Sequence, residues 1–541
     1  MTISVQAGRV MQSNRGATSS AQSAQQQAAP LTFPAPTEGL VTTADFASQQ
    51  PGAASVLENW FPTLTGARIR GGSRRVGLTA DGNTIISAIK YVYGPIERLF
   101  MATATAIYDM SSPAAPPATT PAAVSGLKSG DWCTFQHTNA GTSWLVCLNG
   151  ADDRRLFNGT SWGTSPAITF SDTTTMANLN FGWVFKNRQF LLKNGSLDAY
   201  YLDLNAVGGA ASVFPLGGVM KKGGSLLFGC SWSVESGNGP NDYCVFVSTE
   251  GEVAVYQGSN PASASDFAVI GVYQIGRPLG KNAFIKSGGE VLIATVNGLI
   301  PLSQSFKRDL QQLSLASASR PIENEWRLAA GATGTGWTLT LWPEENLVFV
   351  AFPDNPVMSN IAFVFNALNG KWAIVKNWLA TCFAAYQRSL FFGSVGGYCW
   401  QGDISGTDEG LPFQASYLTS FLPAGGFGQV KSANLAKLTL RALEQPIVQL
   451  CARANGNKAI PNFARVSVNK IGSSLWDSGL WDQALWDASA SVRNIYSFRQ
   501  NVRAEGDTLA LGCAIVSGGT AKLFIDLDLG TLLVTTGEAS S

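Results

Sequence analysis

The chain has 541 residues, a formal net charge of +1 and charged side chains at only 13% of positions. A net charge this close to zero excludes a global electrostatic attraction to nucleic acid. No apolar run reaches the roughly 18 residues of a membrane-spanning helix, and the first residues lack the apolar stretch of a signal peptide, so we expect a soluble protein made in a cytoplasm.

The composition favours an all-β protein. The sequence contains 57 glycines and 15 tryptophans. Abundant glycine suits tight turns, and a low charged fraction suits a chain whose surface is covered by neighbouring sheets or subunits.

Residues 1–33 consist mainly of Ser, Ala, Gln and Gly, with Arg9, Arg15 and no acidic residue. This composition cannot bury enough apolar surface to fold alone. We therefore predict a disordered or partner-docking arm, and an organellar transit peptide is the alternative interpretation. Residues 34–90 are rich in turn residues and are predicted to be an extended segment that joins a propeller.

Four arginines surround the Gly71-Gly72 pair within this segment, namely Arg68, Arg70, Arg74 and Arg75. A basic hairpin here would contact DNA phosphates or the carboxylates and carbonyls of a neighbouring subunit. We favour the subunit interface, and the DNA-facing alternative stays open.

Residues 223–280 contain the clearest structural unit. Four runs rich in Val, Phe, Tyr and Ile lie at residues 226–232, 243–249, 252–256 and 267–275, and such residues suit a pleated sheet. Glu250-Gly251 is short enough to force an antiparallel hairpin, with Gly251 at positive φ. The runs are apolar on both faces, so both faces must be covered. A four-stranded meander covered on both sides is a propeller blade.

Similar turns recur along the chain at separations of about 45 to 56 residues, the period expected for a propeller. They predict about six or seven blades within residues 91–410. The turns lie at Ala104-Thr105, Asn149-Gly150, Asn194-Gly195, Glu250-Gly251, Asn297-Gly298, Glu344-Glu345-Asn346 and Gly396-Gly397.

A second β domain is predicted at residues 411–541, from apolar runs at 437–442, 447–452, 494–502, 508–516 and 522–529. Within it, three Leu-Trp-Asp triplets occupy residues 475–487 with a spacing of five. That spacing fits successive turns with packed tryptophans, and a tryptophan row that stacks on sugars is the alternative.

The cysteines and the single histidine limit the possible chemistry. Cys133/Cys147, Cys230/Cys244 and Cys382/Cys399 are predicted to lie on neighbouring strands as buried thiols, and cross-strand disulfides are the alternative. His137 is the only histidine, so we predict no metal site, no cofactor and no Ser-His-Asp or Cys-His catalysis.

A propeller glycosidase would require two well-placed carboxylates. The candidates are Asp152, Asp153, Asp403 and Glu409, all in predicted turns. We identify no catalytic residue among them and interpret the chain as a structural component rather than an enzyme.

Several stretches resemble the tail nozzle, tail tubular or packaged-DNA stabilisation proteins of short-tailed bacteriophages. They are QPGAASVLENWFPTLTGARIRGGSRR at residues 50–75, WVFKNR at 183–188, VFVSTEGEVAVY at 245–256 and IGRPLGK at 275–281. The resemblance covers about residues 35 to 410, and the C-terminal region is similar mainly through its Trp-Asp triplets.

The resemblance implies a propeller-bearing virion protein assembled in the bacterial cytoplasm, with six copies forming a ring around the passing duplex DNA. It also implies adaptor or portal-side proteins and tail fibre or needle proteins as partners, and it supplies no catalytic residue. Two alternatives remain: a propeller-type tail protein that binds or degrades glycans, and a cytoplasmic propeller scaffold that binds peptides.

Overall fold

The apolar runs of residues 223–280 form one antiparallel meander, as predicted. Its strands are Leu226–Glu235, Pro240–Ser248, Glu252–Gln257 and Ala268–Gln274, with Val245 opposite Val255. Val245, Phe246 and Val247 are completely buried although they are consecutive. Both faces of the two central strands are therefore covered, as expected for a propeller blade, whereas the last strand, Ala268–Gln274, is largely exposed.

The computed structural model describes residues 28–43, 49–235, 240–358, 360–425, 429–462, 493–519, 521–522 and 524–536. In these residues seven such sheets follow one another, and the prediction of an all-β propeller is confirmed with seven blades. Blade five has three strands and the others have four, with a short fifth strand, Thr119–Thr120, at the edge of blade seven. Blade one contains Ser87–Tyr93, Ile96–Ala102, Ala106–Asp109 and Ala122–Ser125, blade two contains Cys133–Asn139, Thr142–Leu148, Arg155–Phe157 and Trp162–Gly163, and blade three contains Leu179–Phe185, Arg188–Lys193, Asp198–Tyr201 and Ser212–Pro215. Blade four contains the strands given above, and blade five contains Phe284–Ser287, Glu290–Thr295 and Gly298–Pro301. Blade six contains Thr338–Trp342, Leu347–Ala351, Ile361–Asn366 and Trp372–Lys376, and blade seven contains Ala380–Tyr386, Ser389–Ser394, Tyr398–Ser405 and Gly72–Thr79.

The ring closes by pairing two segments that are far apart in sequence. The fourth strand of blade seven is Gly72–Thr79, which precedes blade one. It pairs antiparallel with Tyr398–Ser405 on one side and in parallel with Thr119–Thr120 on the other. The propeller therefore includes residues that precede the predicted range of 91–410. The pairing of first and last segments holds the ring closed, because opening it would break a whole ladder of backbone hydrogen bonds.

Six of the seven predicted turns connect the second and third strands of a blade. The exception is the turn at residues 344–346, which connects the first two strands of blade six. Gly251 has φ +80°, so the predicted positive φ is confirmed.

Two short strands, Ile168–Thr169 and Gly209–Ala210, pair in parallel as a separate sheet. The other strands form a β-sandwich. Its first sheet contains the neighbouring strands Asn494–Gly506, Lys431–Ala442, Asp526–Thr536, Ala67–Ile69 and Trp60–Pro62, with Ala29–Pro34 also paired to Asp526–Thr536. Its second sheet contains Ala53–Glu58, Gln414–Thr419, Leu509–Val516 and Ile447–Ala454, with Gly39–Leu40 paired to Ala53–Glu58. The predicted segment of residues 34–90 is thus divided between the sandwich and the propeller.

The two bodies share one hydrophobic core. Glu58 of the second sandwich sheet pairs in parallel with Ile374 of blade six, and one buried cluster extends from Leu438 and Leu511 in the sandwich to Phe363 in the propeller. The helices, which include short 3-10 turns, are Met176–Asn178, Leu302–Ser305, Leu310–Leu313, Ser314–Ala316, Arg320–Ile322, Glu323–Thr333 and Val395–Gly397.

All eight cysteines are buried free thiols, which confirms the first interpretation and not the disulfide alternative. Cys133 and Cys147 lie on adjacent strands, as do Cys230 and Cys244. Cys382 and Cys399 instead lie on either side of the intervening strand that holds Gly393. Of the predicted arm of residues 1–33, residues 1–27 lie outside the described residues, as do the Trp-Asp triplets. The end of the arm is not disordered, since Ala29–Pro34 is a strand paired with Asp526–Thr536.

Candidate functional site at the propeller–sandwich junction

The predicted arginine segment is the crossing between the two bodies. Arg68 lies in the sandwich strand Ala67–Ile69, and Arg74 and Arg75 lie in the propeller strand Gly72–Thr79. The segment is therefore a connection between two sheets and not a hairpin. A β-carbon on Gly72 would lie 2.0 Å from the carbonyl oxygen of Thr407, so the crossing requires a glycine for close backbone approach.

Arg68 is buried and forms ion pairs with carboxylates of the same chain. Its guanidinium binds both carboxylate oxygens of Asp403 at 3.2 and 3.0 Å and contacts Glu345 at 3.1 Å. Lys522 binds the same Asp403 at 2.6 Å. The backbone N–H of Gly71 also donates to Asp403, so this single carboxylate joins the crossing, blade seven and the C-terminal part of the sandwich.

The electrostatics of this cluster depend on that carboxylate. Burial would raise the pKa of Asp403, but the charges of Arg68 and Lys522 outweigh burial and lower that pKa. Burial would lower the pKa of Arg68, but Asp403 and Glu345 raise it. For Lys522 burial dominates, and the pKa is lowered in spite of Asp403. Asp403 also has φ +59°, a strained conformation for a residue with a side chain.

Arg70 is the second buried link. Its side chain has no exposed surface and forms two hydrogen bonds with Asp408, at 3.1 and 2.7 Å. Its Nε donates to Asn59 at 2.9 Å, and the guanidinium lies 3.7 Å from the ring centre of Phe413. A planar, paired and stacked guanidinium is the arrangement in which arginine cannot be exchanged for lysine without loss.

The other two arginines lie nearer the surface. Arg74 is exposed. Arg75 is half-buried, contacts Glu409 at 3.4 Å and lies over the rings of Tyr398 and Trp400. Of the four predicted site residues, Arg74 alone presents its charge outward. A contact of Arg74 with a neighbouring subunit or with DNA stays a prediction.

The buried ion pairs at the junction hold the sandwich and the propeller together. Removing one partner of a buried ion pair leaves an uncompensated charge, which costs several kcal/mol. The sequence contained no local indication of these partners, since Asp403 and Asp408 follow the arginines by more than 330 residues. Replacing these arginines or their aspartate partners would therefore alter the attachment of the sandwich to the propeller.

A second polar bridge lies across the axis of the propeller. Lys281, which precedes the first strand of blade five, donates to the carbonyl of Asp131 at 2.7 Å and to the side chain of Asn180 at 2.9 Å. Asp131 precedes the first strand of blade two and Asn180 lies in that of blade three. Because blade five is next to neither blade two nor blade three, this contact joins non-adjacent blades across the centre of the ring.

The carboxylates considered for glycoside chemistry are distributed over the fold. Asp152 accepts hydrogen bonds from the backbone of Lys128 and the side chain of Asn149. Asp403 and Glu409 belong to the junction. His137 lies buried in blade two, and burial lowers its pKa. Among the described residues, no group of three or more His, Cys, Asp or Glu side chains is placed to hold a metal.

A cleft of about 580 Å³ opens between the sandwich and blade six. It lies between Leu57 and Ile374, and the ion pair of Glu58 with Lys376 lines it. Across the described part of the chain, no helix is long and apolar enough to cross a membrane.

Comparison with known proteins gives no family for this chain. No family model matches it, and no curated protein matches it. Similar solved structures include the extracellular domain of a hybrid two-component system of B. thetaiotaomicron, at 10% identity and a TM-score of 0.38 over 66% of this chain and 43% of that chain. This chain thus spans less than half of that structure.

Two smaller proteins are also similar in structure. One is BBS1N in complex with ARL6DN, at 10% identity and a TM-score of 0.37 over 64% of this chain and 98% of that chain. The other is YCF48 bound to D1 peptide, at 10% identity and a TM-score of 0.35 over 61% and 94%. Likenesses this distant carry no functional argument, so the fold assignment rests on the strand pairing described above.

Proposed function

We propose that this chain is the tail nozzle of a short-tailed bacteriophage, a structural virion protein rather than an enzyme. The resemblance of residues 50–75, 183–188, 245–256 and 275–281 to that family carries the proposal. Residues 50–75 contain the junction arginines, residues 245–256 form the central hairpin of blade four, and residues 275–281 end at the axial Lys281. The similar stretches thus coincide with elements that hold the fold together.

In the proposed assembly, six copies form a ring below the portal and adaptor, and the ring retains packaged DNA and passes it during ejection. The Lys281 bridge supports a passage between copies rather than through one propeller, because it joins non-adjacent blades across the centre of the single propeller. The net charge of +1 also suits such a channel, since each lysine–phosphate contact would retard the moving DNA. The adaptor and the tail fibre or needle proteins are its proposed partners.

The outer edge of blade four supports contact with other copies. Its last strand, Ala268–Gln274, contains no charged residue. Val269 and Ile270 are 45% and 48% exposed. Native proteins rarely leave an uncharged edge strand open to solvent, so a neighbouring subunit at this edge would remove an aggregation hazard.

Electron microscopy of the purified protein tests the proposal, combined with mass spectrometry of phage particles. We expect a six-fold ring with an axial pore, and the chain among the tail proteins. A compact monomer or trimer that cleaves cell-surface glycans would contradict the proposal and support the enzymatic alternative. A monomer that never associates with a virion would support the peptide-binding scaffold.

A further inference from the structure

The first sandwich sheet has one face against the core and one face turned away from it. Along its strand Lys431–Ala442, Ala436 and Leu438 are buried, whereas Lys437 and Thr439 between them are half-buried. The neighbouring strand Asn494–Gly506 is exposed over most of its length. The side chains at Lys437 and at its cross-strand neighbours therefore point to the outer face.

Two cations lie directly opposite each other on this outer face. Lys437 pairs in register with Arg499, so their β-carbons are about 5 Å apart. Arg503 lies further along the same strand and is exposed. Among the described residues none of these three has a carboxylate within ion-pair distance, whereas Arg441 on the same sheet contacts Asp528 at 3.0 Å.

Within the described part of the chain this arrangement is unfavourable. Like charges directly opposite each other in a sheet are destabilising, and long cationic side chains are normally offset by nearby acids or separated. An anion over two opposed cations that lack an acidic partner among the described residues would offset this repulsion. The geometry points to a polyanionic partner.

We infer that this basic face, defined by Lys437, Arg499 and Arg503, contacts the phosphate backbone of duplex DNA. The inference rests on the proposed function and identifies the surface that would face the passing genome. Hydroxyl groups extend the face, since Thr531 lies beside Lys437 and Thr439 lies opposite Ser497. Arginine, lysine and hydroxyl side chains are the usual donors to phosphate oxygens.

The same face is unsuited to reading a base sequence. The aromatic residues of the outer strand, Tyr496 and Phe498, pack against the sandwich core, so no aromatic side chain of that strand is available to stack on a base. A few backbone contacts per copy would guide a duplex weakly and without sequence preference. Weak contact is compatible with DNA that has to move.

Salt-dependent DNA binding of the full chain tests the inference. The variant Lys437→Gln/Arg499→Gln is compared with Arg277→Gln/Arg327→Gln, which removes two exposed propeller arginines that are paired with Glu250 and Glu323. The anisotropy of a labelled mixed-sequence duplex is measured between about 50 and 200 mM salt. We expect the first variant to lower the slope of log K against log salt by about 1.8, or about 0.9 for each lost contact. The control should not change it.

The melting temperature provides a second readout. Because the first variant removes a like-charge pair, its melting temperature should be unchanged or raised. An unchanged salt slope, or an equal decrease in both variants, would overturn the inference. Loss of binding to an acidic tail protein with an unchanged DNA slope would make this face a protein interface instead. If the wild-type chain forms the ring while the slope is unchanged, the inference fails and the nozzle function stands; if the wild-type chain forms no ring, the nozzle function fails.

Discussion

Replacing Gly251 by alanine should destabilise blade four far more than an otherwise similar change in blade three. Gly251 and Gly195 both lie between the second and third strands of a blade, with φ +80° and +69°. A β-carbon on Gly251 would lie 2.4 Å from the carbonyl oxygen of Ile275, whereas a β-carbon on Gly195 would meet no atom within 4 Å. The pair therefore separates backbone strain from steric conflict.

A left-handed conformation costs a residue with a β-carbon about 1–2 kcal/mol. We expect Gly195→Ala to lose about 1 kcal/mol and Gly251→Ala about 3 kcal/mol, because in the second case a backbone carbonyl must also move. The Ile275 N–H donates to the Gly251 carbonyl at 2.8 Å, so native-state hydrogen exchange of that amide reports the change locally. The difference of about 2 kcal/mol between the two variants corresponds to roughly 30-fold faster exchange of this amide in Gly251→Ala than in Gly195→Ala. Equal effects of the two substitutions would refute the close approach at Gly251.

Three further predictions concern the junction, the thiols and the surface. Asp403→Asn should cost about 3–5 kcal/mol in a urea titration, because Lys522 stays buried without its carboxylate and Arg68 keeps only the partly exposed Glu345. Glu409→Gln, beside the half-exposed Arg75, should cost under about 1 kcal/mol in the same titration. The pKa of Asp403 is lowered in the folded state, so this residue stabilises the fold above its ordinary pKa of 3.8, and the stabilisation is lost as pH falls through the lower folded pKa. Below about pH 4 the urea midpoint of the wild-type protein should therefore decrease, and that of Asp403→Asn should decrease less. The eight buried cysteines should resist alkylation at pH 8 until the protein unfolds, since burial raises the pKa of Cys133, Cys230 and Cys382 to about 12; rapid native labelling would contradict their burial. Arg74→Gln should weaken the ring if Arg74 lies between subunits or lower the DNA salt slope by about 0.9 if it faces the bore, and no effect on either would remove it from both surfaces.

The blades could be predicted from the sequence because their signals are local. Residues 226–275 are apolar on both faces and are interrupted by turn residues, and the four strands lie where these patterns placed them. The turn at residues 344–346, Glu-Glu-Asn, also connects two strands of a hairpin, yet it joins a different strand pair from the other predicted turns. Turn chemistry therefore identifies a hairpin but not the position of that hairpin within a blade.

The ring closure and the junction could not be predicted, because their partners are distant in sequence. The strand Gly72–Thr79 pairs with Tyr398–Ser405, and nothing in the local pattern of either strand specifies the other. Arg70 is separated from Asp408 by 338 residues. The arginine cluster was visible in the sequence, but the sequence did not show how many of these arginines form ion pairs with carboxylates of the same chain.

The central claim is that several copies of this chain surround the DNA path of a phage tail. Electron cryomicroscopy of phage particles that contain the protein, with six-fold averaging of the tail, tests it most directly. We expect six propeller–sandwich subunits around an open axial pore, with the pore between subunits and the Lys281 bridge intact within each one. Density in which the chain occupies a peripheral fibre, or in which DNA passes through the axis of a single propeller, would contradict it.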